Sequence, residues 1–103
     1  MEHPKYIQTC TPKRVYGAPD FCMEVLSPGT RRKDFYIKLN KYRDAGVREY
    51  WMIDPDQQYI IVNYFESETS PEIYPLYGPV PVHIFDGQML IDLSTIRTWL
   101  EEQ

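Results

Sequence analysis

One acidic residue inside an apolar run constrains this chain more than any other feature. The stretch Pro19-Asp20-Phe21-Cys22-Met23-Glu24-Val25-Leu26-Ser27 reads as a β-strand. Its alternation puts Phe21, Met23 and Val25 on one face, and Asp20, Cys22, Glu24 and Leu26 on the other. Apart from Asp20 and Glu24 both faces are apolar, the pattern of a central strand covered on both sides. A carboxylate in such a strand is costly unless it is paired, hydrogen-bonded or bound to a metal. A structural salt bridge, a tyrosine hydroxyl or a cation would each satisfy Glu24, and the strand alone does not choose among them.

The next segment narrows the choice. Arg31 to Ala45 reads as a helix, with Thr30 as N-cap, Asp34 where the helix dipole favours an anion, and Gly46 just past the end. At 3.6 residues per turn, Phe35, Leu39 and Tyr42 form one narrow apolar stripe, and Lys38 lies about 60° to its side. Lys38 can bury its stem against the core and send its ammonium along the sheet edge, within reach of the acid on the preceding strand. Tyr36 and Ile37 fall away from the stripe, an exposed apolar pair suited to a protein contact. Arg31, Arg32 and Lys33 crowd the positive end of the helix dipole, where helix stability gives them no reason to be. Contact with phosphates accounts for them, as does a solvated surface.

Charge is divided along the chain. Ten of the 11 Lys and Arg residues fall within residues 1–48 against five acids, whereas residues 49–103 hold one Arg and ten acids. A basic half carrying the Glu24–Lys38 pair suits a polyanionic substrate. At 103 residues, 43% of them hydrophobic, the chain is expected to form one domain with a modest core. No apolar run is long enough for a membrane span, and the polar N-terminus is not that of a signal peptide. Cys10 and Cys22 make neither a metal motif nor a disulfide framework, which points to a reducing cytoplasm, with Cys22 a small buried hydrophobe.

The remaining elements follow in order. Residues 1–15 read as an arm with a short strand near Tyr6 to Thr9. Residues 16–65 hold the main core, and residues 66–103 a C-terminal set of strands and a helix. Glu49 to Ile53 reads as a second buried strand, and Tyr59 to Phe65 as its antiparallel partner through an Asp54-Pro55-Asp56 turn. Ile73–Tyr77, Val80–Phe85 and Gln88–Ile91 read as short strands, with a hairpin turn at Asp86-Gly87. Ser94 is the expected cap of a last helix that turns Ile96, Trp99 and Leu100 inward.

Several segments also carry a resemblance. They are Gly17-Ala18-Pro19-Asp20, Met23-Glu24-Val25-Leu26-Ser27-Pro28, Arg31-Arg32-Lys33-Asp34, Lys38-Leu39 with Tyr42, and Ala45-Gly46-Val47-Arg48-Glu49-Tyr50-Trp51-Met52-Ile53-Asp54-Pro55. In that order they resemble the Uma2 (DUF820) family of the PD-(D/E)XK, restriction-endonuclease-like superfamily, over Tyr16 to about Phe65. The resemblance implies an α+β fold with an α/β-like core: a central mixed sheet, one main helix after the core strand, and a C-terminal helix. It implies a DNA endonuclease that hydrolyses phosphodiesters with Mg²⁺ or Mn²⁺. Glu24 would be the metal-binding catalytic acid. The usual lysine two residues later is Leu26 here, so Lys38 would take the catalytic lysine's place. Asp20, Asp34 and Tyr42 would be supporting or structural residues, and Arg31, Arg32 and Lys33 would contact nucleic acid.

The family's first acid, in a Pro-Asp on an earlier strand, has no match in residues 1–16, whose one acid is Glu2. Asp20 cannot replace it, because four strand residues separate it from Glu24 by about 13 Å. The chain therefore reads as an N-terminally shortened member, with a further acid supplied by the arm or by a partner chain. An open sheet edge makes a homodimer or higher homo-oligomer the expectation. The alternative is a non-catalytic remnant of the fold that dimerises or binds nucleic acid, its Glu24–Lys38 pair a buried ion pair.

Overall fold

The computed structural model describes residues 7–9, 20–27, 29, 32–68 and 71–102. Five strands make one mixed sheet in chain order: β1 (Ile7–Thr9), β2 (Phe21–Val25), β3 (Glu49–Asp54), β4 (Tyr59–Tyr64) and β5 (Glu72–Pro75). β1, β2 and β3 run parallel, β4 pairs antiparallel with β3, and β5 pairs antiparallel with β4. Parallel neighbours need a crossover, and α1 (Arg32–Asp44) carries the chain from β2 to β3. The architecture is the expected α+β fold with a mixed sheet, and β1 is the short strand expected in the arm.

The alternation read from the sequence sorts the sheet faces. Phe21, Trp51, Ile53, Ile60 and Val62 pack on one side against Leu76, Val80, Val82, Leu93 and Leu100 from the C-terminal segment. Cys22, Leu26, Tyr50 and Met52 pack on the other, beneath Phe35, Leu39 and Tyr42 of α1. No residue of α1 is fully buried, so the helix covers its face only in part. Tyr36 and Ile37 are exposed, as the stripe implied. Ile73, beside Ile61 in the strand register, is 64% exposed on the uncovered side of that same face.

Local chemistry fixes the ends of α1 and β3. Gly46 takes φ 92° just past the helix, and the Val47 N–H reaches back to the Tyr42 carbonyl at 3.1 Å, a six-to-one closure that glycine permits. Thr30 and Arg31 lie outside the described residues. After β3, the Asp54 carboxylate accepts the N–H groups of Asp56 and Gln57, both at 3.1 Å, which closes the expected turn into β4.

The C-terminal segment departs from the periodic reading. Val80–Phe85 is not one strand: β6 (Pro79–Pro81) stops early, and a 3₁₀ turn follows at His83–Phe85. Pro81 offers no N–H, and the N–H groups of His83 and Ile84 donate to the Glu49 carboxylate at 3.2 and 2.9 Å instead of joining a ladder. The chain does reverse at Asp86-Gly87, both with positive φ, into β7 (Leu90–Asp92). Asp92, not Ser94, is the cap, its carboxylate accepting the Ser94 N–H at 2.9 Å. A 3₁₀ turn at Leu93–Ile96 precedes α2 (Arg97–Glu101), and that tighter winding shifts the inward face. Leu93 and Leu100 are buried, while Ile96 and Trp99 stay exposed. Among the described residues no helix is long and apolar enough to cross a membrane.

Candidate active site

β2 and α1 bring together the two side chains that the sequence singled out. The covering of β2 thins along its length: Phe21 and Cys22 are buried, and Met23, Glu24 and Val25 are half-buried. Glu24 thus sits where the interior opens. Lys38 Nζ lies 2.7 Å from Glu24 Oε1, with the lysine side chain 37% exposed and the glutamate 19%. The helix side of the sheet is the same side as Cys22, so the alternation and the helical angle agree.

A third residue completes the arrangement. Tyr50, fully buried on β3, donates its hydroxyl to Glu24 Oε1 at 3.2 Å. β2 and β3 pair Cys22 with Tyr50 and Glu24 with Met52, which leaves Tyr50 diagonal to Glu24 on one face. The Tyr50 ring packs on Tyr42 with centroids 4.5 Å apart. Tyr42 is four residues after Lys38 on α1, so both lie on one side of the helix. Lys38, Glu24, Tyr50 and Tyr42 therefore close a ring of contacts through the helix backbone. The tyrosine hydroxyl and the salt bridge, two separate ways of satisfying Glu24, occur together.

The other sequence-chosen residues stand further out. The Asp20 carbonyl, just before β2, accepts the N–H groups of Arg48 and Glu49 at 3.2 and 3.0 Å, tying the start of β2 to that of β3. Asp34 sits half-buried in the first turn of α1, one turn before Lys38. Arg32 and Lys33 are exposed at the helix start, and Arg31 lies outside the described residues.

Sequence reading missed a second buried carboxylate. Glu49, at the head of β3, is fully buried and accepts the Trp51 indole N–H at 2.7 Å besides the two N–H groups of the 3₁₀ turn. Its signal was the kind that marked Glu24: an acid in an otherwise apolar strand, here at its head. Nearby, the His83 ring stacks on Tyr64 at 5.0 Å, and His83 Nε2 lies 3.2 Å from Glu72 Oε1. Tyr74 donates its hydroxyl to Glu72, and that bond, followed by burial, pushes the phenol up to about 12. At the far end of β4, hydrogen bonds first from Arg48 and then from Tyr64 hold the Glu66 carboxyl below its usual range.

The donor set suits a hard cation in part. Among the described residues, both contacts of the Glu24 carboxylate, from Lys38 and Tyr50, fall on Oε1. Mg²⁺ is commonly held by one or two carboxylates, with water and substrate phosphate filling the other positions. Among the described residues no group of three His, Cys, Asp or Glu side chains stands together.

Comparison with known proteins supports the fold and the family. The family model of Uma2, described as "Putative restriction endonuclease", matches residues 3–90. A solved structure, a putative nuclease belonging to DUF820 from Anabaena variabilis ATCC 29413, is 26% identical with a TM-score of 0.61. The match covers 82% of this chain and 46% of that one, so the chain spans about half of that protein's length. The comparison with curated proteins gives no match. With most of its length matched by the family model and its sheet and helix matched by a solved nuclease-like fold, the chain belongs to the Uma2 family.

Proposed function

We propose that the Glu24–Lys38 corner is the phosphodiester-cleaving site of a Mg²⁺-dependent DNA endonuclease. The observation that carries this reading is the 2.7 Å contact between an acid on the core strand and a lysine on the following helix. Glu24 would offer Oε2 to the ion, and a further acid from outside the described residues or from a second copy would complete the ligand set. When bound, such an ion polarises the scissile phosphate and makes water acidic enough to attack it. Lys38 holds positive charge beside the reacting phosphate, orients the attacking water, and lessens the charge that builds up on phosphorus oxygens. Arg32 and Lys33, with Arg31 before them, supply the phosphate contacts that hold the duplex. Association of copies belongs to the same reading: β1 and β5 are sheet edges, and Tyr36, Ile37 and Ile73 are exposed apolar side chains. DNA as substrate and a cysteine side chain buried at Cys22 suit a reducing, cytoplasmic setting.

The test is cleavage of supercoiled plasmid with Mg²⁺ or Mn²⁺. Wild-type protein should nick it, and Glu24→Ala and Lys38→Ala should each abolish nicking. Equal cutting by wild type and Glu24→Ala would show that a contaminant cleaves. A second reading, a non-catalytic nucleic-acid-binding or dimerising module, is favoured by one fact: Lys38 and Tyr50 already satisfy Glu24 without an ion. Calorimetric titration with Mn²⁺ separates the two, since the second reading requires no uptake at Glu24.

A further inference from the structure

The partial covering of the helix-side face leaves a groove beside α1. Phe35 and Leu39 wall it from the helix, and Met52 and Ile61, register partners on β3 and β4, line it from the sheet. It is apolar, open to solvent on one side, and holds about 140 Å³. An apolar cavity of about 150 Å³ takes up benzene, so one six-membered ring is the measure of this groove.

Two polar features make it more than a packing gap. Asn63, only 2% exposed, lines it on the same face of β4 as Ile61. Its side-chain nitrogen donates to the Tyr50 carbonyl at 3.1 Å. A carbonyl only accepts, so the nitrogen is fixed toward β3 and the oxygen is left to the groove. Among the described residues Asn63 Oδ1 takes no hydrogen bond, and a ligand with an N–H group would satisfy it. At the rim stand Tyr36, 58% exposed, and Arg32, one turn before it on the same side of α1. An exposed ring beside a guanidinium suits a base and its phosphate. Pyrimidines match both the room and the acceptor: each is one six-membered ring, thymine with an N3–H and cytosine with an N4–H₂. Those groups are occupied in a base pair, so the base must stand outside the duplex to use them.

We infer that this groove receives an unpaired pyrimidine of bound DNA, its ring between Tyr36 and the apolar lining, its N–H on Asn63 Oδ1 and its phosphate on Arg32. In taking DNA as the ligand this rests on the proposed function. The groove and Lys38 lie on opposite flanks of the Phe35–Leu39 stripe, so a strand lying across α1 reaches both. A second copy of the chain that inserted an apolar side chain would leave Asn63 Oδ1 without a donor, which favours DNA as the occupant.

The experiment is fluorescence anisotropy, without divalent metal, on one duplex in four forms: fully paired, or with a single bulged thymidine, adenosine or N3-methylthymidine. Wild type should bind the thymidine bulge at least about fivefold tighter than the paired duplex. The other two bulges should bind no better than the paired form. Tyr36→Ala, and Ile61→Trp, which fills the groove, should each lose the preference and keep the affinity for paired DNA. Tyr36 is exposed, so its variant decides should Ile61→Trp fold poorly. Equal binding of the paired and thymidine-bulged duplexes overturns the inference. So does a preference that survives Tyr36→Ala, or one shared by adenosine or N3-methylthymidine. If the variants change the sedimentation of the DNA-free protein and keep the thymidine preference, the groove seats a second copy and the inference falls. A thymidine preference without plasmid nicking in Mg²⁺ removes the nuclease reading and leaves the groove. Nicking that Glu24→Ala abolishes, with no thymidine preference, does the reverse, and no binding to any duplex removes both.

Discussion

Trp51 Nε1 lies 2.7 Å from Glu49 Oε2, two residues apart on one strand and both fully buried. With the N–H groups of His83 and Ile84, the indole gives this carboxylate three donors. Glu49 thus joins β3 to the C-terminal segment at the start of the 3₁₀ turn. It stands immediately before Tyr50, so the same strand fastens the C-terminal segment on one face and the Glu24 corner on the other.

Removing the Glu49 carboxylate should therefore be costly. Glu49→Ala leaves three donors without an acceptor in a closed interior and is expected to destabilise by about 3–5 kcal/mol. Glu49→Gln keeps one acceptor oxygen and should cost about 1–2 kcal/mol. Urea unfolding followed by tryptophan fluorescence measures both. A Glu49→Ala loss below that of Glu49→Gln would mean that the carboxylate is not the tie described.

Tyr74 and Glu72 make a dependence on alkaline pH. The hydrogen bond to Glu72 raises the Tyr74 phenol to about 12 in the folded protein, against about 10 unfolded. The raised value means the bond's contribution is whole below pH 10 and fades as pH climbs through 12. Wild type should exceed Tyr74→Phe by about 1 kcal/mol at pH 8–9 and lose that margin between pH 10 and 12. Denaturant midpoints across that range, with both proteins in one buffer series, decide it. A margin that stays constant to pH 12 contradicts the assignment.

The Lys38–Glu24 contact should be measurable as coupling even without a metal. Both side chains retain some water, so the pair should be worth about 1 kcal/mol and no more. A double-mutant cycle of Lys38→Met and Glu24→Gln in stability reads this directly. Zero coupling at low salt would mean that the two groups do not hold each other in solution.

What the sequence disclosed, and what it hid, follows from the range of the interactions concerned. Glu24 and Lys38 were legible because strand alternation and helical angle are local rules, and each residue broke a local pattern. Tyr50 as partner to Glu24 needed the register of two strands 26 positions apart, which no periodicity encodes. Glu49 reaches residues 34 and 35 positions away, so the turn it holds at His83 read falsely as more strand. Trp99 was misplaced for a different reason: Asp92 starts a 3₁₀ turn, and its tighter winding turns the following residues out of phase with an ideal α-helix.

The start of α1 gives the last prediction, on nucleic acid. Arg32 and Lys33 are exposed at the end of the helix where the dipole is positive, so they weaken the helix they begin. Replacing either with Ala should leave stability unchanged or slightly raised, by a few tenths of a kcal/mol. If the pair grips phosphates, each replacement should also weaken duplex DNA binding and flatten the plot of log affinity against log salt by about 0.9. The loss should be the same on unrelated duplex sequences, because phosphate contacts carry no base information. Fluorescence anisotropy at four salt concentrations, with wild type, Arg32→Ala, Lys33→Ala and the double variant, provides both slope and affinity. A double variant whose slope equals that of wild type would make these charges ordinary solvated surface, and the DNA-contacting face would have to be sought elsewhere on the basic half of the chain.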